Sequence, residues 1–213
     1  MTRTDHAGDT ARALLDRAGH TYAEDAGITL KNTPSPLFEL LVLALLLSTR
    51  ISADIAVAAA RELFAAGYRT PEKMARADWQ SLVDALGRGH YVRYDESTAT
   101  RLGEAAQKVL KDYHGDLRHL ADEAGSEPAR AAQLLQGFTS IGPVGADIFL
   151  REVQSVWDWA TPYFDKRALA AARDLGLPDD PARLADLAHG RPEALAAALV
   201  RVSLDESLRR EIV

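Results

Sequence analysis

The stretch GFTSIGPVGADIFL, residues 137–150, puts Gly142, Pro143 and Gly145 at the mouth of a run with helical spacing. In a helix interior these residues would be disruptive, but in a first turn Pro143 costs no intrahelical bond. A helix start displays unpaired N–H groups and the positive end of the dipole, and glycines let an anion approach the backbone closely. Holding a phosphate is therefore one chemistry open to this stretch. A tight corner between two helices is the other, and the stretch by itself does not separate them. Asp165 stands directly before KRALAAAR. Its residue type and place read as a helix N-cap, worth about 1 kcal/mol. A third cluster, RGHYVRYDE at 88–96, gathers Arg88, His90, Tyr91, Arg93 and Tyr94. Such side chains can stack on bases or pack a surface loop.

Other chemistries are excluded or disfavoured. The 213-residue chain has no cysteine, so it holds no disulfide, thiolate nucleophile, Cys-ligated zinc or Cys-ligated iron–sulfur cluster. Its histidines, at 6, 20, 90, 114, 119 and 189, lack metal-ligand spacing, so no metal is expected. The net charge of −6 counts against a broad electrostatic grip on nucleic acid, while leaving room for a local basic face. The run LFELLVLALLL (37–47) is short for a bilayer span and carries Glu39, so it reads as a buried central helix. The polar start MTRTDHAGDTAR lacks the apolar core of a signal peptide. The expectation is a cytoplasmic monomer without membrane contact, nucleoid-associated in a bacterium.

The elements that must position these residues are helical. In DTARALLDRAGHTYAED, Ala11, Leu14, Leu15, Ala18 and Tyr22 form one apolar stripe. Pro34 and Pro36 mark GITLKNTPSP as a loop before the buried helix that starts near Leu37 and ends near Ser48. Ser52, Thr70 and Asp78 fit as N-caps, with stops at Gly67 and Gly87. A longer helix runs through STATRLGEAAQKVLKDYHG and closes at Gly115; amphipathic segments continue to the C-terminus, with no solenoid repeat. The fold class is all-α.

From Pro36 to about Gly176, roughly two-thirds of the chain, the sequence resembles the helix–hairpin–helix (HhH-GPD) base-excision DNA glycosylases, those like endonuclease III especially. PLFELLVLALLLSTRISADIAV resembles the opening helix and turn of that family's six-helix lobe. LLQGFTSIGPVGADIFL resembles its hairpin, Leu-Pro-Gly-Val-Gly-x-Lys-x-Ala. Phe138 takes the Leu place and Thr139 the Pro; Ser140 takes the first Gly, Ile141 the Val and Gly142 the second Gly. Val144 falls on the Lys place and Ala146 on the closing Ala. FDKRALAAARDLG resembles the segment with the family's essential aspartate, which lands on Asp165.

The resemblance implies two helical lobes, one of six helices over 34–149 holding the motif at about 131–150, the other built from 1–33 and 150–213, with a substrate cleft between. It implies double-stranded DNA with a damaged or mismatched base as partner, gripped at Ser140, Ile141, Gly142, Val144 and Gly145. Asp165 would stabilise the cationic sugar and orient water as the N-glycosidic bond breaks. Arg50 resembles the position that fills the vacated stack, and His90 and Tyr91 lie where relatives carry a wedge. Arg101 and Lys108 extend this candidate DNA face. A monovalent cation held by hairpin carbonyls is also implied. Three departures stand out. Val144 has no amine for a Schiff base, so a monofunctional glycosylase is expected; Lys166 is an unsuitable substitute, since helix neighbours face different ways. The family's iron–sulfur cysteines are missing, and Ser140 replaces a hairpin glycine. A helix–hairpin–helix DNA-binding protein with degenerate catalysis is the alternative.

Overall fold

Apolar positions recur at helical spacing through almost the whole chain, and helices are what form. The structure, a computed structural model, describes residues 3–212, with side chains from His6 onward. Helices α1 (Arg3–Ala18), α2 (Tyr22–Asp25), α3 (Pro34–Leu47), α4 (Ala53–Ala65), α5 (Pro71–Ala75), α6 (Trp79–Arg88) and α7 (Asp95–Tyr113) come first. They are followed by α8 (Arg118–Ala124), α9 (Pro128–Leu135), α10 (Pro143–Val153), a 3-10 turn (Asp158–Ala160), α11 (Lys166–Asp174), α12 (Pro181–Leu187), α13 (Pro192–Leu204) and α14 (Glu206–Ile212). No strand occurs among the described residues. The fold is all-α.

Local chemistry sets several boundaries. Ser52, Thr70 and Asp78 accept from the N–H groups of Ile55, Lys73 and Ser81, capping α4, α5 and α6 as their residue types predict. The loop expected at Pro34 and Pro36 is instead the first turn of α3. Proline is tolerated there because first-turn N–H groups have no intrahelical acceptor to lose. α6 continues one residue past Gly87 and ends at Arg88, and α7 ends at Tyr113, capped by His114 in the left-handed conformation just before Gly115.

The chain divides into two compact units, residues 1–22 with 151–213, and residues 23–150. Residues 23–33, expected in the lobe built from the termini, group with the middle unit. The lower boundary falls within α2 and the upper within α10. In the terminal unit α13 is the central element, buried from Ala194 to Val200, with α1, α11, α12 and α14 packed on it. In the middle unit α3 packs on α4, α4 on α6, α6 and α5 on α7, and α8 on α9.

Every residue of α3 from Leu37 to Leu46 is buried, Glu39 included. Its carboxylate pairs with Arg69 Nη1 at 3.1 Å and accepts from Ser35 Oγ at 3.1 Å. Burial raises the Glu39 pKa, and Arg69 and Ser35 offset this only in part. A carboxyl with a raised folded pKa supports the fold while protonated in both states. That support fades as pH climbs from the unfolded value through the folded one. Glu39→Gln is expected to flatten this acid-side slope in urea unfolding measured across pH; an unchanged slope would exclude Glu39 as its source.

Candidate nucleic-acid interface and carboxylate site

The hairpin lies between the end of α9 at Leu135 and the start of α10 at Pro143. Its apolar residues anchor it: Phe138 and Ile141 are buried, and Phe138 stacks on Tyr113 with centroids 6.1 Å apart. Lys108 Nζ lies 5.5 Å from the Phe138 ring centroid while pairing with Asp112 at 2.6 Å. Ile141 N–H donates to Phe138 O at 2.9 Å, closing the turn, and Ala146 N–H donates to Gly142 O at 3.1 Å, opening the helix. Gly142, Pro143 and Val144 are exposed, Val144 by 61%. Pro143 has no N–H, so Val144 and Gly145 carry the first-turn donors.

Two glycines here do different jobs. A Cβ on Gly142 would meet open space, whereas one on Gly145 would sit 3.0 Å from Ile141 Cγ2 and 3.4 Å from Ser48 Cβ. Gly145 thus lets α10 lie against the α3–α4 turn. Ser140 Oγ is buried without a hydrogen-bond partner among the described residues. A buried hydroxyl oxygen of this kind fits the monovalent cation implied for the hairpin.

The α3–α4 turn connects in turn to the α6–α7 loop. Thr49 Oγ1 donates to Leu46 O at 2.8 Å, so its 2.6 Å contact with the Tyr91 hydroxyl uses the tyrosine as donor. Tyr91 is 0% exposed, which corrects its expected role in the DNA stack. Its ring is core, and the loop's apolar tip is the next residue, Val92, 66% exposed. Val92 was missed because a single valine in a polar loop carries no sequence signal. His90 is exposed and holds φ at 63°, turning the chain between Gly89 and Tyr91. Gly89 is needed for close approach: its Cβ would lie 2.4 Å from Ala59 Cα. Arg50 and Arg93 are exposed, with Arg93 5.3 Å from the Tyr94 ring centroid. Arg88 is instead held by Glu62 at 2.9 Å. The middle unit therefore links Arg50, His90, Val92 and the exposed hairpin residues through Tyr91–Thr49 and Gly145–Ser48.

Asp165 belongs to the terminal unit and is the N-cap of α11. Its Oδ1 accepts from the N–H groups of Arg167 and Ala168, each at 2.9 Å. Its Oδ2 pairs with Arg151 Nη1. Asp165 is 7% exposed and Arg151 3%. The other side of Arg151 meets Glu152, whose Oε1 lies 3.6 Å from Nε. Burial alone would lower the Arg151 pKa, but Glu152 and Asp165 outweigh it and hold it above the usual arginine value. The chain entering Asp165 is fixed by buried Gln154. Its Nε2 donates to Arg151 O and Tyr163 O, and its Oε1 accepts from Tyr163 N–H, all at 2.9 Å. Lys166, the first residue of α11, is exposed. Arg151, Glu152 and Gln154 were all missed. Their one sequence signal is that Ile148, Phe149 and Leu150 leave that part of α10 no polar face.

Among the described residues, no group of three or more His, Asp or Glu could hold a metal ion. No helix is long and apolar enough to cross a membrane.

The order and packing of these helices define an endonuclease III-like fold. A solved structure that shares it is endonuclease III in a trapped covalent intermediate with DNA, an estranged-adenine complex. The two align with a TM-score of 0.55 over 94% of this chain and 85% of that one, at 13% identity. No protein-family model and no curated protein matches the chain.

Proposed function

We propose that the protein binds duplex DNA and hydrolyses the N-glycosidic bond of a damaged or mismatched base turned out of the stack, acting as a monofunctional glycosylase. The observation that carries this reading is the fixed Asp165 carboxylate at the start of α11, in a chain with an exposed, anchored hairpin and the endonuclease III-like fold. The hairpin's first-turn N–H groups grip a phosphate without reading sequence, and Arg50 and Arg93 add charge on the linked loops. Ser140, with hairpin carbonyls, would hold a monovalent cation that adds positive charge for that phosphate. Val92 and His90 fill the space left by the extruded base, at an unstacking cost of a few kcal/mol.

Asp165 stabilises the oxocarbenium-like sugar by its charge. Its oxygens are occupied by two N–H groups and Arg151, so water attacks with electrostatic help and little proton abstraction. Val144 supplies no amine, so no Schiff base forms and the DNA strand stays intact. The protein acts as a monomer in the cytoplasm, without a catalytic metal.

The test is a panel of duplexes bearing oxidised, alkylated, deaminated or mismatched bases, assayed with and without hot alkali. Base loss on one class, revealed only by alkali and abolished in Asp165→Asn, is the expected result. Borohydride trapping of a protein–DNA adduct would overturn the monofunctional reading. A second reading, DNA binding without excision, is favoured by the Arg151–Asp165 ion pair, which offsets the carboxylate charge. Salt-sensitive binding with no base loss on any duplex would establish it.

A further inference from the structure

A carboxylate helps a developing cation most when its place is fixed before the substrate arrives, since a misplacement of about 1 Å is costly. The bonds to the Asp165 carboxylate, from the Arg167 and Ala168 N–H groups and from Arg151, tie its side chain to α11 and to the end of α10. The backbone that enters Asp165 is held separately, by Gln154. The Gln154 Nε2 donates to Arg151 O and Tyr163 O, and its Oε1 accepts from Tyr163 N–H, each at 2.9 Å. Thr161 Oγ1 adds a bond to the Gln154 carbonyl at 2.8 Å. A primary amide carries two donors and an acceptor on one head, and here both donors and the acceptor oxygen are used. A carboxylate at 154 would face two carbonyl oxygens, and an apolar side chain would make none of these bonds. The contacts close a circle. It runs from the Arg151 main chain through the Gln154 side chain to the Tyr163 main chain, past buried Phe164, and from the Asp165 carboxylate back to the Arg151 guanidinium. Gln154 is itself only 2% exposed, so solvent is not at hand to replace its amide.

We propose that Gln154 is a positioning residue for the Asp165 carboxylate: by holding Tyr163 to the end of α10 it sets where that carboxylate stands before an extruded sugar. This rests on the reading of Asp165 as the group that stabilises positive charge on the sugar. Gln154 touches no substrate in this scheme and acts only through the backbone that leads into Asp165. Without it, the α11 cap and Arg151 still bind the carboxylate, but the chain between Tyr163 and Asp165 is free to shift relative to α10.

The test needs no knowledge of the excised base. Two short duplexes are compared, one with a single pyrrolidine abasic nucleotide, whose ring nitrogen is protonated, the other with an uncharged tetrahydrofuran one. A protonated ring mimics the cationic sugar, so wild type is expected to bind the pyrrolidine duplex several-fold more tightly. Gln154→Met, which keeps the side-chain length and removes the amide, should bring that ratio close to one. A role in packing alone would move both affinities together and leave the ratio as it is. Asp165→Asn should abolish the preference, and adding Gln154→Met to it should change the ratio no further; a further change would show that Gln154 does not act through Asp165 and would overturn the proposal. In wild type itself the Tyr163 amide, bound to Oε1, should be strongly protected from hydrogen exchange. Rapid exchange there overturns the proposal whether or not Gln154→Met folds. A wild-type preference that survives in Gln154→Met overturns the role of Gln154 and leaves Asp165 standing. No wild-type preference at all overturns the reading of Asp165, and the proposal with it.

Discussion

Arg151→Met is expected to lower folding stability by about 3–5 kcal/mol, read as a fall in the urea midpoint at constant slope. Arg151 is the counter-charge for two carboxylates that are themselves buried, Asp165 and Glu152. Removing Arg151 takes a buried counter-charge from both. Asp165 keeps its two backbone donors in the variant, which limits the loss on that side. Asp165→Asn should cost less, about 1.5–3 kcal/mol for a charged hydrogen bond, because asparagine still caps α11 and Arg151 still faces Glu152. The two variants therefore separate structure from chemistry. Arg151→Met should be the less stable protein, and Asp165→Asn should be folded yet release no base. An Arg151→Met protein as stable as wild type would show that the ion pair adds nothing over apolar packing at that place.

Tyr91→Ala is expected to cost about 3–5 kcal/mol, as for other fully buried aromatic rings cut to alanine. The informative comparison is Tyr91→Phe, which removes only the donor to Thr49 and should cost about 1 kcal/mol. A ring that stacks on DNA bases tolerates phenylalanine, since the π-face is unchanged. A ring that tethers one loop to another does not. Tyr91→Phe should therefore weaken the proposed duplex binding several-fold in a fluorescence anisotropy titration, although Tyr91 itself is buried. Unchanged affinity would make the hydroxyl bond irrelevant to the loops.

Much of this architecture is legible in the amino-acid sequence, and the boundary of legibility is physical. Helix starts depend on a side chain and the N–H groups two or three residues on. Ser52, Thr70, Asp78 and Asp165 were accordingly readable as caps, and each accepts such a bond. The apolar run of α3 declared its burial through composition, with Glu39 the exception that needed Arg69 from thirty residues away. The candidate site was harder because its deciding contacts are distant in sequence. Asp165 announced a cap, but nothing near it announced Arg151, which arrives from the end of α10. Tyr91 lay in a stretch whose polar, aromatic composition suits a surface loop. Its partner Thr49 is forty-two residues away, so no local pattern could reveal that it turns inward while Val92 turns out.

The Tyr91–Thr49 bond also has a consequence for how the sequence can drift. It makes the α3–α4 turn and the α6–α7 loop a single inherited trait. A hydroxyl lost at position 49 makes the tyrosine hydroxyl at 91 dispensable, and a phenylalanine at 91 relaxes selection on Thr49. Substitutions at the two positions should show strong epistasis, with the double change costing less than the sum of the single ones. Arg50 and Val92, carried on those loops, are then tuned together through a contact in which neither takes part.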